Sequence, residues 1–387
     1  MKTLKAMFKS NIRQYGMLIA LVSIALLFQI ITEGVLLKPL NITNLILQNS
    51  YILVLAIGML LVIITGNVDL SVGSVVAFVG AISAILMVNM KVNFFVAMII
   101  SLLIGALIGA WQGFWIAYVK IPAFIVTLAG MLIFRGLTMV VLKGTSIAPF
   151  PEAFTKISSG FIPDLFGGQG IHITTIIIGI ILSVIIVILE LNNRKTQLKY
   201  NFEVPPKGFM IAKLVGIIAV ILYFSFVFAS YKGLPNILIL LTVLIIIYAF
   251  ITNKTVPGRH IYAVGGNEKA AKLSGVKSAK VLFWVFVNMG MLSALSGLIF
   301  AARLNAATPK AGNGFELDAI AACYIGGASS TGGIGTVVGA MVGGLVMGVM
   351  NNGMSIMGLG IDWQQAIKGL VLLIAVAFDL FTKSKSS

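Results

Sequence analysis

Asp69 is the residue whose chemistry most needs a setting. It sits in Gly66-Asn67-Val68-Asp69-Leu70-Ser71-Val72-Gly73 between long apolar runs, and no other charged residue lies within 15 positions on either side. A carboxylate at membrane depth costs about 2.5–3.5 kcal/mol on insertion scales, so it is capped, paired, hydrated or functional. As a cap, Asp69 would accept the amide of Ser71 or Val72 and start the next helix. As a solute contact it would line a cavity, and the two roles are compatible because broken membrane helices border cavities. A second polar, glycine-rich interruption covers residues 304–335, with Asn305, Pro309, Gly312-Asn313-Gly314, Phe315-Glu316-Leu317-Asp318 and Gly326-Gly327-Ala328-Ser329-Ser330-Thr331-Gly332-Gly333. Asn67, Asp69, Ser71, Glu316 and Asp318 are therefore the candidate lining of a path across the membrane.

Nothing in the chain points to catalysis. His172 and His260 are far apart, without carboxylate or thiol neighbours at metal-ligand spacing. Cys323 is the single cysteine, which excludes an internal disulfide. There is no Gly-x-x-x-x-Gly-Lys-Ser/Thr loop to hold ATP, and no nucleophile–base pair stands out. The expectation is no enzymatic activity, no metal and no cofactor in this chain.

The elements that position these residues follow from composition. The 387 residues are 59% hydrophobic and only 10% charged, with a mean hydropathy of +1.08. Soluble proteins are about 25% charged, so a soluble enzyme is excluded. The sequence predicts an all-α polytopic membrane protein, read as one domain over 1–387. Runs long enough to span lie at roughly 15–37, 51–65 with 70–90, 94–119, 121–142, 171–191, 211–230, 235–252, 281–303, 334–352 and 362–381, with a marginal segment at 317–331. That gives about 10–12 crossings, some broken or re-entrant. The two interruptions lie in opposite halves and each carries a Leu-Asp or Asp-Leu pair, which suggests a two-half internal repeat.

The net charge of +16 raises nucleic acid as a partner, but the cations sit in short loops between apolar runs. That is the positive-inside pattern, and no nucleic acid is expected. Lys2, Lys5, Lys9 and Arg13, the stretch 192–213 with its five cations against Glu203, the loop 253–280, and Lys383 with Lys385 should all face the cytoplasm, so both termini are cytoplasmic. The proline-rich stretch 143–170 then falls outside. Glycines at every fourth position (Gly105, Gly109, Gly113; Gly335, Gly339, Gly343) mark tight helix packing, chiefly within the subunit.

The loop 253–280 carries Pro257-Gly258-Arg259-His260-Ile261-Tyr262-Ala263-Val264-Gly265-Gly266-Asn267-Glu268-Lys269-Ala270-Ala271-Lys272-Leu273-Ser274-Gly275-Val276. Asn267 can cap a short helix that Gly275 ends in a left-handed conformation. Such a helix across the membrane face is a shape that a partner protein can grip, with Gly266 and Ala271 facing neither lipid nor core and Glu268 offering a charge for register.

With this loop in view, the sequence resembles the permease subunits of bacterial ABC-type monosaccharide importers. The likeness rests on Asn67-Val68-Asp69-Leu70-Ser71-Val72-Gly73, on Ile121-Pro122-Ala123-Phe124-Ile125-Val126-Thr127-Leu128 with Arg135-Gly136, and on the loop. It continues through Ala302-Arg303, Phe315-Glu316-Leu317-Asp318, Gly332-Gly333-Ile334-Gly335, Asn352-Gly353-Met354, Gln365-Ala366-Ile367-Lys368-Gly369 and Ala375-Val376-Ala377-Phe378-Asp379. The insert at 192–213 and the length resemble the xylose and multiple-monosaccharide branch. The resemblance implies a permease in the bacterial cytoplasmic membrane that carries a sugar such as xylose inward. It implies a coupling loop using Arg259, Gly265, Gly266, Asn267, Glu268, Ala270, Ala271 and Gly275, docked on an ATP-binding subunit that holds ATP and Mg²⁺. It further implies a second permease subunit as a homodimer, an extracytoplasmic sugar-binding protein, and surrounding lipid. Branched-chain amino-acid permeases share the architecture but match these motifs less well. An ion-coupled secondary transporter would need a pair of buried acids or a Na⁺ site, and only Asp69 reads as clearly at depth.

Overall fold

The computed structural model describes residues 12–168, 170–202 and 204–384; Lys2, Lys5, Lys9, Glu203 and Lys385 of the charge argument lie outside them. Among the described residues there are fifteen α-helices and no β-strand: α1 (Ile12–Ile31), α2 (Pro39–Ile64), α3 (Val72–Ala84, continued by a wider turn over Ile85–Asn89), α4 (Phe94–Ala117), α5 (Ala123–Leu142), α6 (Glu152–Ser159), α7 (Ile173–Lys199), α8 (Lys207–Ala229), α9 (Asn236–Lys254), α10 (Val256–Gly266), α11 (Glu268–Leu273), α12 (Ser278–Leu304), α13 (Phe315–Ile325), α14 (Val337–Ile356) and α15 (Ile361–Ser384). Nine of them are long and apolar enough to cross a membrane, namely α2, α3 with its extension, α4, α5, α7, α8, α9, α12 and α14. The protein is an all-α multi-pass membrane protein.

Of the expected runs, those now seen as α1, α13 and α15 are not among these nine: α1 has only Gly16–Ile31 as its apolar part, and α13 has only 11 residues. Two further spans differ from their sequence outlines. α2 starts at Pro39, well before residue 51, because its polar residues bond within the bundle. Asn41 and Asn352 exchange amide hydrogen bonds at 2.8 and 3.1 Å, and Asn49 Nδ2 donates to the Leu45 carbonyl at 2.8 Å. α7 runs on to Lys199, so part of the basic insert is helix, and Lys213 of α8 reaches Glu190 of α7 at 2.8 Å. The stretch 143–170 contains the short helix α6, which buries Phe154. Beyond it, the Asp164 carboxylate accepts from the Thr174 hydroxyl at 2.8 Å and from the amides of Phe166, Gly168, Ile173 and Thr174. Desolvation pushes this carboxyl up, but the Thr174 hydroxyl and the amides outweigh it and hold it well below the usual carboxylate range.

The registers between helices reveal an inverted repeat. α2 lies antiparallel to α12: Ser296 Oγ donates to the Tyr51 carbonyl, and Gly58 faces Met289 and Leu292. α3 runs parallel to α12, with Val76 on Gly297 and Gly80 on Ala301. In the other half α13 runs parallel to α2, with Phe315 stacked on Tyr51 and Cys323 facing the Ala56 carbonyl. α4 descends against α12 (Gly105 on Gly290, Gly109 on Phe286), as α14 does against α2 (Gly344 on Leu53, Gly348 on Asn49). Thus α2-α3-α4 and α12-α13-α14 pack with the same partners in opposite directions.

The glycine faces look inward. A Cβ on Gly109 would overlap the Phe286 carbonyl oxygen, and one on Gly339 would overlap that of Gly326. With backbone on both sides of the contact no rotamer relieves the clash. Gly109→Ala should therefore lower the melting temperature and the yield of folded protein, and Gly109→Leu should abolish folding. Gly136→Ala, which meets open space, serves as the control. Unchanged melting of Gly109→Leu would place this face against lipid.

Candidate translocation and coupling site

The two interruptions meet inside the bundle. α2 ends where Gly66, at φ +76°, donates to the Ile63 carbonyl and Asn67 donates to that of Val62, the paired bonds of a glycine-terminated helix. The chain then turns back through 67–71 before α3 begins. From the other half, 305–314 folds inward until Gly312 touches Gly73, so close that a Cβ on either would overlap the other's carbonyl oxygen. α3 and α13 run in opposite directions from this point, so two half-helix N-termini stand back to back at the level of Tyr51, halfway along α2. Amide-rich helix ends inside the apolar layer are a setting for polar or anionic groups.

The Asp69 side chain accepts from the Ser71 amide at 2.8 Å and the Ser71 hydroxyl at 2.6 Å, and Gln112 Nε2 of α4 donates to the same hydroxyl at 2.7 Å. Asp69 thus accepts the Ser71 amide, as the sequence suggested, but the N-cap residue of α3 is Ser71 and not Asp69. Asp69 and Ser71 are both buried. Asn67 is half-buried, with Nδ2 donating to the Thr65 carbonyl at 3.1 Å.

On the other side of the junction, Arg135 Nη1 of α5 donates to the Ala311 carbonyl at 2.6 Å and so ties the inward-folded segment. Glu316 is half-buried beside Gly73. Phe315 packs between Tyr51 and Phe300. Asp318 is 2% exposed, and the ammonium of Lys368, on α15, stands 3.0 Å from one carboxylate oxygen and donates to the other at 3.2 Å. Asp69 is therefore not alone at depth: Asp318 is buried too, held with a cation. Removing one partner of a buried pair costs about 3–5 kcal/mol, whereas removing both charges is often tolerated. Lys368→Met should destabilise the fold by that order. Asp318→Asn in the same chain should restore part of the loss. Equal melting of wild type and Lys368→Met would show that the pair contributes nothing.

The loop 253–280 folds as expected and then does more. Asn267 Oδ1 accepts from the Ala270 amide at 3.0 Å to start α11, and Gly275, at φ +86°, closes it. Glu268 is paired along the helix with Lys272 at 2.7 Å, and Arg259 is exposed. The expectation that Ala271 faces no core is overturned: it is 4% exposed where α11 meets α10 and α12. The free face carries Ala270, Ser274 and Leu273, the last 91% exposed. α10 connects this face to both interruptions. Gly265 lies against the Ile64 carbonyl so closely that a Cβ would overlap it, Gly333 donates its amide to that same carbonyl at 2.8 Å, and the Tyr262 hydroxyl donates to the Gly335 carbonyl at 2.6 Å. One knot thus joins the end of α2, the glycine-rich stretch after α13, and the helix pair at this end of the bundle.

Residues 41–376 match the family described as branched-chain amino acid transport system / permease component. The chain belongs to this permease family. The xylose transport system permease protein of Haemophilus influenzae is 40% identical over 97% of this chain and 98% of its own length. The xylose permease of Escherichia coli K12 is 38% identical over 97% of this chain and 94% of its own, and the ribose import permease of Bacillus subtilis 34% identical over 96% and 94%. No solved structure matches the chain.

In the permease, the fold adds Gln112, Arg135, Lys368 and Tyr51 to the residues singled out from sequence. Each has a partner distant along the chain: Gln112 bonds Ser71, Arg135 bonds Ala311, Lys368 pairs with Asp318 and Tyr51 stacks on Phe315. The signal for two of them was present, since Arg135 and Lys368 are cations inside apolar runs.

Proposed function

We propose that this permease is the membrane subunit of an ATP-driven importer that carries a monosaccharide, with xylose the leading candidate, into the cytoplasm. End-to-end identity of 38–40% with xylose permeases carries this reading over branched-chain amino acids, which only the broad family description mentions. The end bearing α10 and α11 is cytoplasmic, as are both termini, in line with the cations of 253–280. The Leu273 face docks on an ATP-binding subunit that holds ATP and Mg²⁺, a second copy of the permease completes the path, and an extracytoplasmic sugar-binding protein delivers cargo. The chain itself has no ATPase site.

The knot at Gly265 suggests how force crosses the subunit. Movement of α10 acts on the Ile64 carbonyl and Gly333, and through them on the two half-helices. Asp69, Ser71 and Asp318, buried and partnered, frame the half-helix ends, while half-buried Asn67 and Glu316 are placed to meet solute when the junction opens. Nucleotide binding selects between two states through contacts that only one of them makes. Proteoliposomes holding the permease, its ATP-binding subunit and the binding protein should take up xylose with ATP inside, unaffected by a protonophore. Uptake that collapses with the proton gradient and ignores ATP would establish an ion-coupled transporter instead. Uptake of leucine in preference to xylose would move the chain to the amino-acid branch.

A further inference from the structure

A cavity of about 560 Å³ opens between α9, α10 and α12 at the end of the bundle that carries the coupling loop, away from the half-helix junction. Its α12 wall is a single stripe. Lys277 and Lys280 stand at the rim, Trp284 follows one turn deeper, and Asn288 one turn deeper again, at the i, i+3 and i+4 spacing that keeps side chains on one helix face. His260 of α10 faces them, and Val281 and Val285 are part of the apolar wall. Neither Lys277 nor Lys280 has a carboxylate partner among the described residues. Trp284 is 57% exposed, the position of an aromatic at the boundary of the apolar layer. The Asn288 carbonyl accepts from the Tyr248 hydroxyl, but its Nδ2 is buried without a partner.

From rim to floor the order is two cations and a histidine, an interfacial indole and an apolar wall. We infer that the cavity is a binding site for an anionic phospholipid, such as phosphatidylglycerol, of the leaflet adjoining the coupling loop. The phosphodiester sits between Lys277 and Lys280, and the upper acyl chains lie along Val281, Trp284 and Val285. The charge complementarity favours this occupant over a neutral lipid or sugar, because unpaired lysines between membrane helices recruit anionic headgroups. The volume falls in the range of ordinary small-molecule sites. The bound lipid would wedge α10 against α12, beside the Gly265 knot.

The naming of the leaflet rests on the orientation proposed above; the site does not, and nanodiscs with identical leaflets separate the two. The full chain, with Trp284 as its single tryptophan after Trp111→Phe, Trp115→Phe and Trp363→Phe, is titrated with lipids brominated on the upper acyl chain. Brominated phosphatidylglycerol should half-quench Trp284 at a mole fraction at least about fivefold lower than brominated phosphatidylcholine. Lys277→Glu with Lys280→Glu should erase the difference, while Lys195→Glu with Lys199→Glu on the other basic loop should keep it. In the unaltered chain, native mass spectrometry should find phosphatidylglycerol retained at low salt and lost near about 0.5 M salt. Equal quenching by the two lipids, a preference that survives the charge reversal, or displacement by free glycerol phosphate would overturn the site. So would loss of quenching on adding the ATP-binding subunit, which would show protein filling the groove.

Discussion

Leu273→Asp should abolish sugar uptake and copurification of the ATP-binding subunit together, while the permease melts within about 2 °C of wild type. Leu273 is 91% exposed on a six-residue helix whose neighbours Lys269 and Lys272 are also exposed. A large aliphatic side chain left in solvent on a polar helix is unexplained by this chain's own packing, and it is the kind of anchor that fills a pocket on a partner. Full burial of a leucine contributes about 1.5–3 kcal/mol, so its loss alone lowers affinity roughly ten- to hundredfold, and a carboxylate forced into the same pocket adds a desolvation cost. Ala270→Arg, on the same face one turn back, should act alike. Ala271→Arg should instead damage the permease itself, because the buried alanine leaves no room for the longer chain. If both Leu273→Asp and Ala270→Arg retained an intact complex and wild-type uptake, α11 would be a solvated connector and the proposed coupling role would be withdrawn.

The contrast between Ala270 and Ala271 shows what the sequence could and could not say. Capping residues are local, so Asn267 and Gly275 announced α11 to within a residue. Which side of a six-residue helix is covered depends on α10 and α12, and no pattern within Glu268–Leu273 encodes it. The same division runs through the fold. The two glycine-rich interruptions were legible because polar groups inside apolar runs must be satisfied locally, and Asp69 does bond Ser71. Their meeting at Gly73 and Gly312 was not legible as a contact, only as a hint of a repeat, because it joins residues more than two hundred positions apart. The start of α2 was missed because Asn41 and Asn49 lower the apolar count while their amides bond inside the bundle. The ion pair of Asp318 was not legible, because its partner Lys368 comes from the final helix.

Gly265→Ala should separate ATP hydrolysis from transport. The added methyl would overlap the Ile64 carbonyl oxygen, and its next neighbour is the Gly333 amide nitrogen. The contact is backbone against backbone, so α10 itself must shift, and the bond from Gly333 to Ile64 at 2.8 Å is the first to be lost. Overpacking of this kind costs about 1–3 kcal/mol, too little to unfold a bundle whose core lies elsewhere. The Leu273 face is untouched, so the ATP-binding subunit should still copurify and still hydrolyse ATP. The half-helices, however, would no longer follow α10, and uptake should fall by at least about two orders of magnitude, the scale of a misplacement near 1 Å in a positioned machine. Gly216→Ala, at a helical glycine of α8 with open space around it, controls for the loss of a glycine as such. Loss of the complex in Gly265→Ala would mean that the knot shapes the docking face rather than transmitting its motion. Wild-type uptake would mean that force reaches the half-helices by another route.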